Sequence, residues 1–191
     1  MRLGELDLNA LPLQERAEHV AFVPQALPQN AELTVLRGVV ATLMASPPAK
    51  THSSHGKVRD RTADVLERLG IIDLVMESMG RLSGGLRQLA SLAQAVARAP
   101  KLLLLDEPAR ALDPRHQLDV MTIVRELARE GPIVMVVMHD LTLAATWARP
   151  HIALDRGTVA ADGAPEAALT PLYSGASTEK TPTSRSVRVA C

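Results

Sequence analysis

Cysteine is almost absent from this chain, since Cys191 is the only one among 191 residues. One thiol can form neither an internal disulfide nor a zinc site, which is typical of a protein kept in a reducing compartment. Aromatic residues are also scarce, at 2%, so aliphatic side chains must fill the core. Because hydrophobic residues make up 47% of the chain, we expect a sizeable core rather than wholesale disorder.

Net charge and long apolar runs are lacking as well. Lys plus Arg and Asp plus Glu both number 21, so the composition does not indicate a basic face for nucleic acid. No apolar run approaches the roughly 18 residues that span a bilayer. Residues 1–7 show no charged segment followed by an apolar one, as a signal peptide would. We therefore expect a soluble protein that works at a membrane only through a partner.

A further absence concerns phosphate binding. The P-loop pattern G-x-x-x-x-G-K-[ST] does not occur in the sequence. The only Gly-Lys pair is Gly56-Lys57, where Thr51 stands at the first glycine position and Val58 at the Ser/Thr position. The 191 residues therefore hold no P-loop lysine for the β- and γ-phosphates and no P-loop hydroxyl for Mg²⁺.

Two apolar runs of the sequence end in polar side chains. Residues 102–105 are followed by Asp106 and Glu107, and residues 133–138 by His139. Both runs are typical of strands buried in a parallel sheet, where ligands bind at the carboxyl ends. An acidic pair there can bind Mg²⁺ and activate water. Taken singly, Asp106 fits a turn cap and His139 an ordinary strand-end residue, but their joint placement favours the functional interpretation.

A glycine turn, Ser83-Gly84-Gly85, precedes a predicted helix over residues 86–98. No side chains block its backbone N–H groups, and helix N-termini bind anions through such groups. A plain helix cap is the alternative, because Ser-Gly-Gly is a common turn. Gln25 follows a predicted strand over residues 19–23 and could place its carbonyl on a metal or a water, although taken alone it fits an exposed loop glutamine better.

The remaining pattern predicts an α/β fold. Helices are predicted at 35–44 after the cap Thr34, at 57–69 before Gly70, and from Pro114 after the cap Asp113. Residues 152–154 and 158–160 suggest two strands joined by a turn. The Ser- and Thr-rich segment 174–191 is predicted to be poorly ordered.

In this order the motifs resemble those of the nucleotide-binding subunit of ABC transporters, from about Gly4 to about Tyr173. The matching segments are LSGGLRQ at 82–88 for the signature, LLDEP at 104–108 for Walker B, ALD at 111–113 for the D-loop, His139 for the H-loop and Gln25 for the Q-loop. Two positions depart from the family pattern: Leu86 replaces the usual glutamine of the signature, and Arg110 stands beside the D-loop.

The resemblance implies ATP and Mg²⁺ as cofactors and gives the motif residues roles. Gln25 and Asp106 would touch Mg²⁺, Glu107 would be the general base, and His139 the switch histidine. The other implied nucleotide contacts are Ser83, Gly84 and Gly85, which would meet the γ-phosphate held by the opposite subunit, and Asp113 of the D-loop.

For the fold, the resemblance implies a P-loop NTPase-like, mostly parallel sheet flanked by helices, with a helical signature subdomain. The implied divisions are a remnant of the ATPase core over 1–27, the helical subdomain over 28–88, the ATPase core over 89–173 and the tail over 174–191. The family's first strands and its P-loop are expected to precede residue 1.

For function, the resemblance implies an ATP-hydrolysing subunit of an importer. Residues 112–118 and 139–144 are most similar to importers of iron chelates, haem or cobalamin. The implied partners are a membrane-spanning permease and a second nucleotide-binding subunit, identical or different, at the cytoplasmic face of the cell membrane.

Other hypotheses stay open at this point. The chain could be a non-catalytic half-site that offers its signature to a partner's ATP, or a truncated product without stable function. A soluble ATPase acting on DNA or ribosomes fits less well with the neutral charge. Because no P-loop is present to position ATP for Glu107, we expect negligible ATPase activity from the isolated chain.

Overall fold

The computed structural model describes residues 1–25, 32–45, 55–110, 112–147, 151–155, 158–164 and 185–190. The chain divides into two compact units, Met1–Leu103 and Leu104–Cys191. This division falls inside one strand, Leu102–Asp106, which contributes to both units. No helix in the described ranges is long and apolar enough to cross a bilayer.

The first unit is mainly helical. Its elements are β1 (Arg2–Leu3), β2 (Leu6–Asp7), α1 (Leu13–His19), β3 (Val20–Val23), α2 (Val35–Met44), α3 (His55–Arg68), two 3₁₀ turns (Ile72–Leu74 and Met79–Arg81) and α4 (Gly84–Ala97). β1 and β2 form an antiparallel pair, and β3 is the neighbour of the strand that begins at Leu102. Helices α2, α3 and α4 pack against one another and carry the glycine turn.

Local sequence explains where these helices begin and end. The Thr34 hydroxyl accepts a hydrogen bond from the backbone N–H of Arg37, as a helix cap does, so α2 begins where the sequence predicts. Gly70 follows α3 with a φ of +67°, a conformation that glycine adopts without a steric penalty. The packed faces are aliphatic, as the composition predicts. Fully buried Val and Leu side chains each stabilise the fold by about 1.5–3 kcal/mol.

The second unit is built on a sheet. Its elements are β4 (Leu102–Asp106), α5 (Pro114–Arg129), β5 (Ile133–Met138), α6 (Leu141–Trp147), β6 (His151–Asp155), β7 (Thr158–Gly163) and β8 (Arg185–Ala190). The strand order is β4-β5-β8-β6-β7. The helix predicted from Pro114 lies between the two predicted strands: α5 links β4 to β5 and buries Val120, Met121, Val124 and Leu127. The α/β class with a parallel sheet flanked by helices is confirmed.

The structure differs from the sequence prediction at the end of the chain. The tail 174–191 is predicted to be poorly ordered, yet Arg185–Ala190 forms β8, which pairs antiparallel with both β5 and β6. The reason is visible in the sequence, because Ser186, Val187, Arg188 and Val189 alternate polar and apolar residues as a strand does. Residues 174–184 and 191 lie outside the described ranges. The four predicted divisions of the chain remain predictions.

Candidate functional site

Glu107 follows β4 with a strained backbone. Its φ is +53°, in the left-handed region that a non-glycine residue rarely occupies. Its backbone N–H donates to the carbonyl of Val137 in β5, over 3.0 Å. Such a conformation costs about 1–3 kcal/mol and persists only where the surroundings enforce it, most often at functional sites. The hydrogen bond to β5 therefore fixes the direction in which Glu107 leaves the strand.

The carboxylate of Glu107 meets the imidazole of His139. Oε1 of Glu107 lies 3.2 Å from Nε2 of His139, which follows β5. The Glu107 side chain is only 10% exposed, whereas that of His139 is 46% exposed. Within the described residues, this buried Oε1 accepts no hydrogen bond of good geometry. The Glu107 carboxylate in this pair is therefore buried and can accept a further hydrogen bond. The His139 ring is open to solvent or a ligand.

Burial raises the pKa of Glu107 above its ordinary value of 4.5. The His139 imidazole, the Arg110 guanidinium and the backbone N–H of His139 oppose this effect, while the Asp106 carboxylate adds to it. The net direction is upward. A general base works best when its pKa lies near the operating pH, so this shift makes Glu107 better suited to accept a proton from water.

A cavity of about 520 Å³ opens beside this pair and is lined by Glu107, Arg110, Gln117 and His139 among others. Gln117, in the first turns of α5, donates from Nε2 to the carbonyl of Ala109 over 3.3 Å. That volume lies in the range of small-molecule sites. Arg110 and Gln117 are not among the predicted site residues. Arg110 stands out in the sequence only as a departure near the D-loop, and for Gln117 we find no sequence signal.

Asp106, the last residue of β4, is half-buried and sits next to Glu107 in the chain. No group of three or more His, Cys, Asp or Glu side chains among the described residues could hold a metal by itself. Mg²⁺ needs no such cage, because it commonly binds one or two carboxylates together with phosphate oxygens and water. The carboxylate of Asp106 is an oxygen ligand of the kind that Mg²⁺ prefers.

Asp113 acts as the cap of α5. Its Oδ1 accepts from the backbone N–H groups of Arg115, over 3.1 Å, and His116, over 3.2 Å. Its Oδ2 lies 2.5 Å from Nδ1 of His116. The hydrogen bond with the His116 side chain is the main reason why the pKa of Asp113 is lowered. Ala111, the first residue of the predicted D-loop, lies outside the described residues.

The glycine turn opens α4 in the first unit. The helix begins at Gly84, two residues earlier than predicted, and the Ser83 hydroxyl accepts from the backbone N–H of Leu86 over 3.4 Å. Ser83 and Gly84 are exposed, whereas Gly85 is buried. The first backbone N–H groups of a helix have no partner inside it. Exposure of Ser83 and Gly84 leaves such groups open to an anion.

The structure thus brings Glu107 and His139 together, with Asp106 adjacent in sequence. Asp113 belongs to the same unit, at the start of α5. Gln25, exposed after β3, and the turn Ser83-Gly84-Gly85 belong to the first unit.

Known proteins resemble the chain in sequence and fold. Residues 2–110 match the family described as ABC transporter. The hemin import ATP-binding protein HmuV of Bordetella avium is 36% identical over 179 residues, which are 88% of this chain and 68% of that protein. HmuV of Rhodococcus jostii is 36% identical over 181 residues, which are 91% of this chain and 60% of that protein.

In structure, the chain is similar to MJ1267, an ATP-binding cassette of an ABC transporter. The TM-score is 0.71 at 22% identity, over 82% of this chain and 66% of that chain, and this likeness concerns the fold alone. The fold and the family match together identify a nucleotide-binding domain of the ABC transporter type. The chain belongs to the ABC transporter family, which confirms the resemblance seen in the motifs.

Proposed function

We propose that this chain belongs to the ATP-binding subunit of an ABC importer and that Glu107 is the general base for ATP hydrolysis where a P-loop, which these 191 residues lack, positions the nucleotide. The observation that carries the proposal is the contact of 3.2 Å between the buried Glu107 carboxylate and the His139 imidazole. Both groups lie beside a cavity of about 520 Å³. Membership of the ABC transporter family supports ATP as the nucleotide.

In this account Glu107 and His139 have different tasks. Glu107 takes a proton from the attacking water at Oε1, the buried oxygen that has no hydrogen bond of good geometry from the described residues. His139 is more exposed, so its ring can donate to the terminal phosphate or orient the water. The raised pKa of Glu107 makes its carboxylate a stronger base than an exposed glutamate.

The proposed nucleotide is Mg²⁺–ATP. Asp106 would hold Mg²⁺ through its carboxylate, and the family resemblance implies a contact with Mg²⁺ for Gln25 as well. Bound Mg²⁺ supplies charge neutralisation at the phosphate oxygens. Asp113 stands in the segment that resembles the D-loop, and the proposal gives it a contact with the nucleotide. Ser83, Gly84 and Gly85 would present backbone N–H groups and a hydroxyl to the γ-phosphate of ATP held by a second nucleotide-binding subunit.

Haem, or another iron chelate or cobalamin, is the proposed cargo. HmuV of Bordetella avium and of Rhodococcus jostii, both named as hemin import proteins, support it. The proposed partners are a membrane-spanning permease and a second nucleotide-binding subunit. The chain would then lie at the cytoplasmic face of the membrane, held there by the permease.

A second candidate function is a half-site that does not hydrolyse ATP itself. Leu86 in place of the signature glutamine and Arg110 beside the D-loop favour it. Such a chain would pair with a complete nucleotide-binding subunit and offer its glycine turn in trans.

The test measures ATP-dependent pairing and phosphate release, for the full chain alone and mixed with HmuV of Bordetella avium. We expect negligible phosphate release by the chain alone, because it has no P-loop. We expect pairing that requires ATP, and phosphate release by the pair that falls when Glu107→Gln replaces the wild type. Glu126→Gln, at an exposed position of α5, is the matched control. Pairing with release unaffected by Glu107→Gln supports the half-site instead. Neither pairing nor release in any mixture contradicts both functions.

A further inference from the structure

Arg87 makes two hydrogen bonds that lead back from α4 into the segment before it. Its Nε donates to the carbonyl of Met79 over 3.2 Å, and its Nη2 donates to the carbonyl of Leu82 over 2.8 Å. Met79 begins a 3₁₀ turn, and Leu82 is the residue immediately before Ser83. One guanidinium therefore joins the first turn of α4 to both ends of the segment that leads into the glycine turn.

The glycine turn has few constraints of its own. Gly84 and Gly85 lack side chains that could restrict the backbone, and glycine loses more conformational freedom on folding than any other residue. The Ser83 cap is long, at 3.4 Å to the N–H of Leu86. By contrast, Met79 and Leu82 are anchored, with only 8% and 6% of their surfaces exposed. Arg87 extends that anchoring to the exposed residues Ser83 and Gly84.

An arginine suits this task for geometric reasons. Long side chains of a helix point back toward its N-terminus, which brings the guanidinium beside the entering chain. Its planar fork donates to two carbonyls at once, whereas lysine offers a flexible point charge. A cation in the first turn is unfavourable for the helix dipole, so the hydrogen bonds to Met79 and Leu82 must offset that cost.

We propose that Arg87 is the positioning residue of the glycine turn: by holding the carbonyls of Met79 and Leu82 it fixes Ser83, Gly84 and Gly85 in the orientation that meets a phosphate. The proposal rests on the proposed function, because the phosphate in question is that of ATP held by a second subunit. The positive charge of Arg87 also favours the binding of an anion at this turn.

The first arm of the test needs no nucleotide. The amides of Leu86 and Arg87 both donate to Ser83, so their hydrogen exchange reports whether Ser83 is held in place. In the full chain we expect Arg87→Gln to speed this exchange about tenfold, because hydrogen bonds from a charged donor are lost. Arg81→Gln, at an exposed position of the same segment, is expected to leave it unchanged. Equal exchange in the two variants would overturn the proposal.

The second arm separates positioning from general stability. The full chain is mixed with HmuV of Bordetella avium, and the dissociation constant of the pair is measured with and without Mg²⁺–ATP. Arg87→Gln should weaken only the ATP-dependent pairing, by about tenfold, and Arg87→Lys should restore part of it. If the wild type pairs with ATP and Arg87→Gln pairs equally well, the positioning role is wrong. If the wild type never pairs, the proposed function fails, while the exchange comparison still decides whether Arg87 holds the turn.

Discussion

The strand ends around Glu107 and the glycine turn before α4 are built in opposite ways. At the strand ends the chemistry lies in side chains: a carboxylate 10% exposed, on a residue with a φ of +53°, faces an imidazole 3.2 Å away. At the turn the candidate contacts are backbone N–H groups of exposed residues. These residues are held in place by the two hydrogen bonds of Arg87 rather than by side chains of the glycines.

This difference has a consequence for stability. Burial of the Glu107 carboxylate and its backbone strain both work against folding, so the strand-end site is maintained at a cost to the fold. The turn carries no comparable cost, because open N–H groups at a helix start are solvated. Substitutions at the two regions should therefore change activity and stability in different combinations.

The largest expected effect is on turnover. Glu107→Gln removes the proposed base but keeps the size of the side chain, so we expect the rate of ATP hydrolysis at the Glu107 site of the assembled subunits to fall about 10²–10⁴-fold. Phosphate release at saturating ATP measures it, with Glu126→Gln as control. Turnover that survives in Glu107→Gln would show that the Glu107 carboxylate does not carry the chemistry at the strand ends.

A smaller effect is expected at the turn. Ser83→Ala removes the hydroxyl that caps α4 and should destabilise the fold by about 0.5–2 kcal/mol, toward the lower value because the hydrogen bond is long. Denaturant unfolding of the full chain measures the change. Ser83→Asn, which retains a capping side chain, should unfold like the wild type. An equal loss in both variants would show that the cap contributes nothing.

Glu107→Gln should also make the fold more stable at neutral pH. The pKa of Glu107 is raised in the folded state, so the folded chain holds its proton more tightly than the unfolded chain does. Stability is therefore lost as the pH rises from about 4.5 through the folded pKa, and the glutamine variant avoids that loss. Thermal melting from below pH 4.5 up to neutral pH measures the difference. A variant that melts lower than wild type at neutral pH would contradict this account.

The smallest expected effect concerns Asp113, whose contribution to stability changes with pH in the direction opposite to that of Glu107. Its lowered pKa means that it stabilises the fold above its ordinary value of 3.8 and loses this contribution as the pH falls through the folded pKa. Asp113→Asn keeps the cap of α5 but cannot ionise. Its melting temperature should change less between neutral and acid pH than that of the wild type. An unchanged pH profile would show that the contact with His116 is without energetic effect.

Much of the local fold can be predicted from the sequence where a cap or an apolar run defines an element. α2 begins after Thr34 and β5 covers residues 133–138, as predicted. α1 (Leu13–His19) is not predicted, since it buries none of its residues and lacks a side-chain cap. β8 is not predicted either, because its alternation is short and follows a polar segment.

The candidate site is predictable to a similar degree. That Glu107 and His139 lie near each other follows from the rule that parallel strands end at one edge. The φ of +53° at Glu107 depends on a hydrogen bond to Val137, thirty residues further along the chain, and such tertiary contacts leave no local signal. The two hydrogen bonds of Arg87 cannot be predicted from the sequence either, because they depend on the path that the chain takes before α4. The functional roles of the site residues stay predictions.

The central claim is that the buried carboxylate of Glu107 carries the chemistry of this nucleotide-binding domain. Its most direct test is the rate of phosphate release from saturating Mg²⁺–ATP by the assembled subunits, compared between the wild type and Glu107→Gln. We predict a fall of about 10²–10⁴-fold in the part of the release that occurs at the Glu107 site, with ATP-dependent pairing retained. Equal rates in the two proteins, with pairing intact in both, would contradict the account.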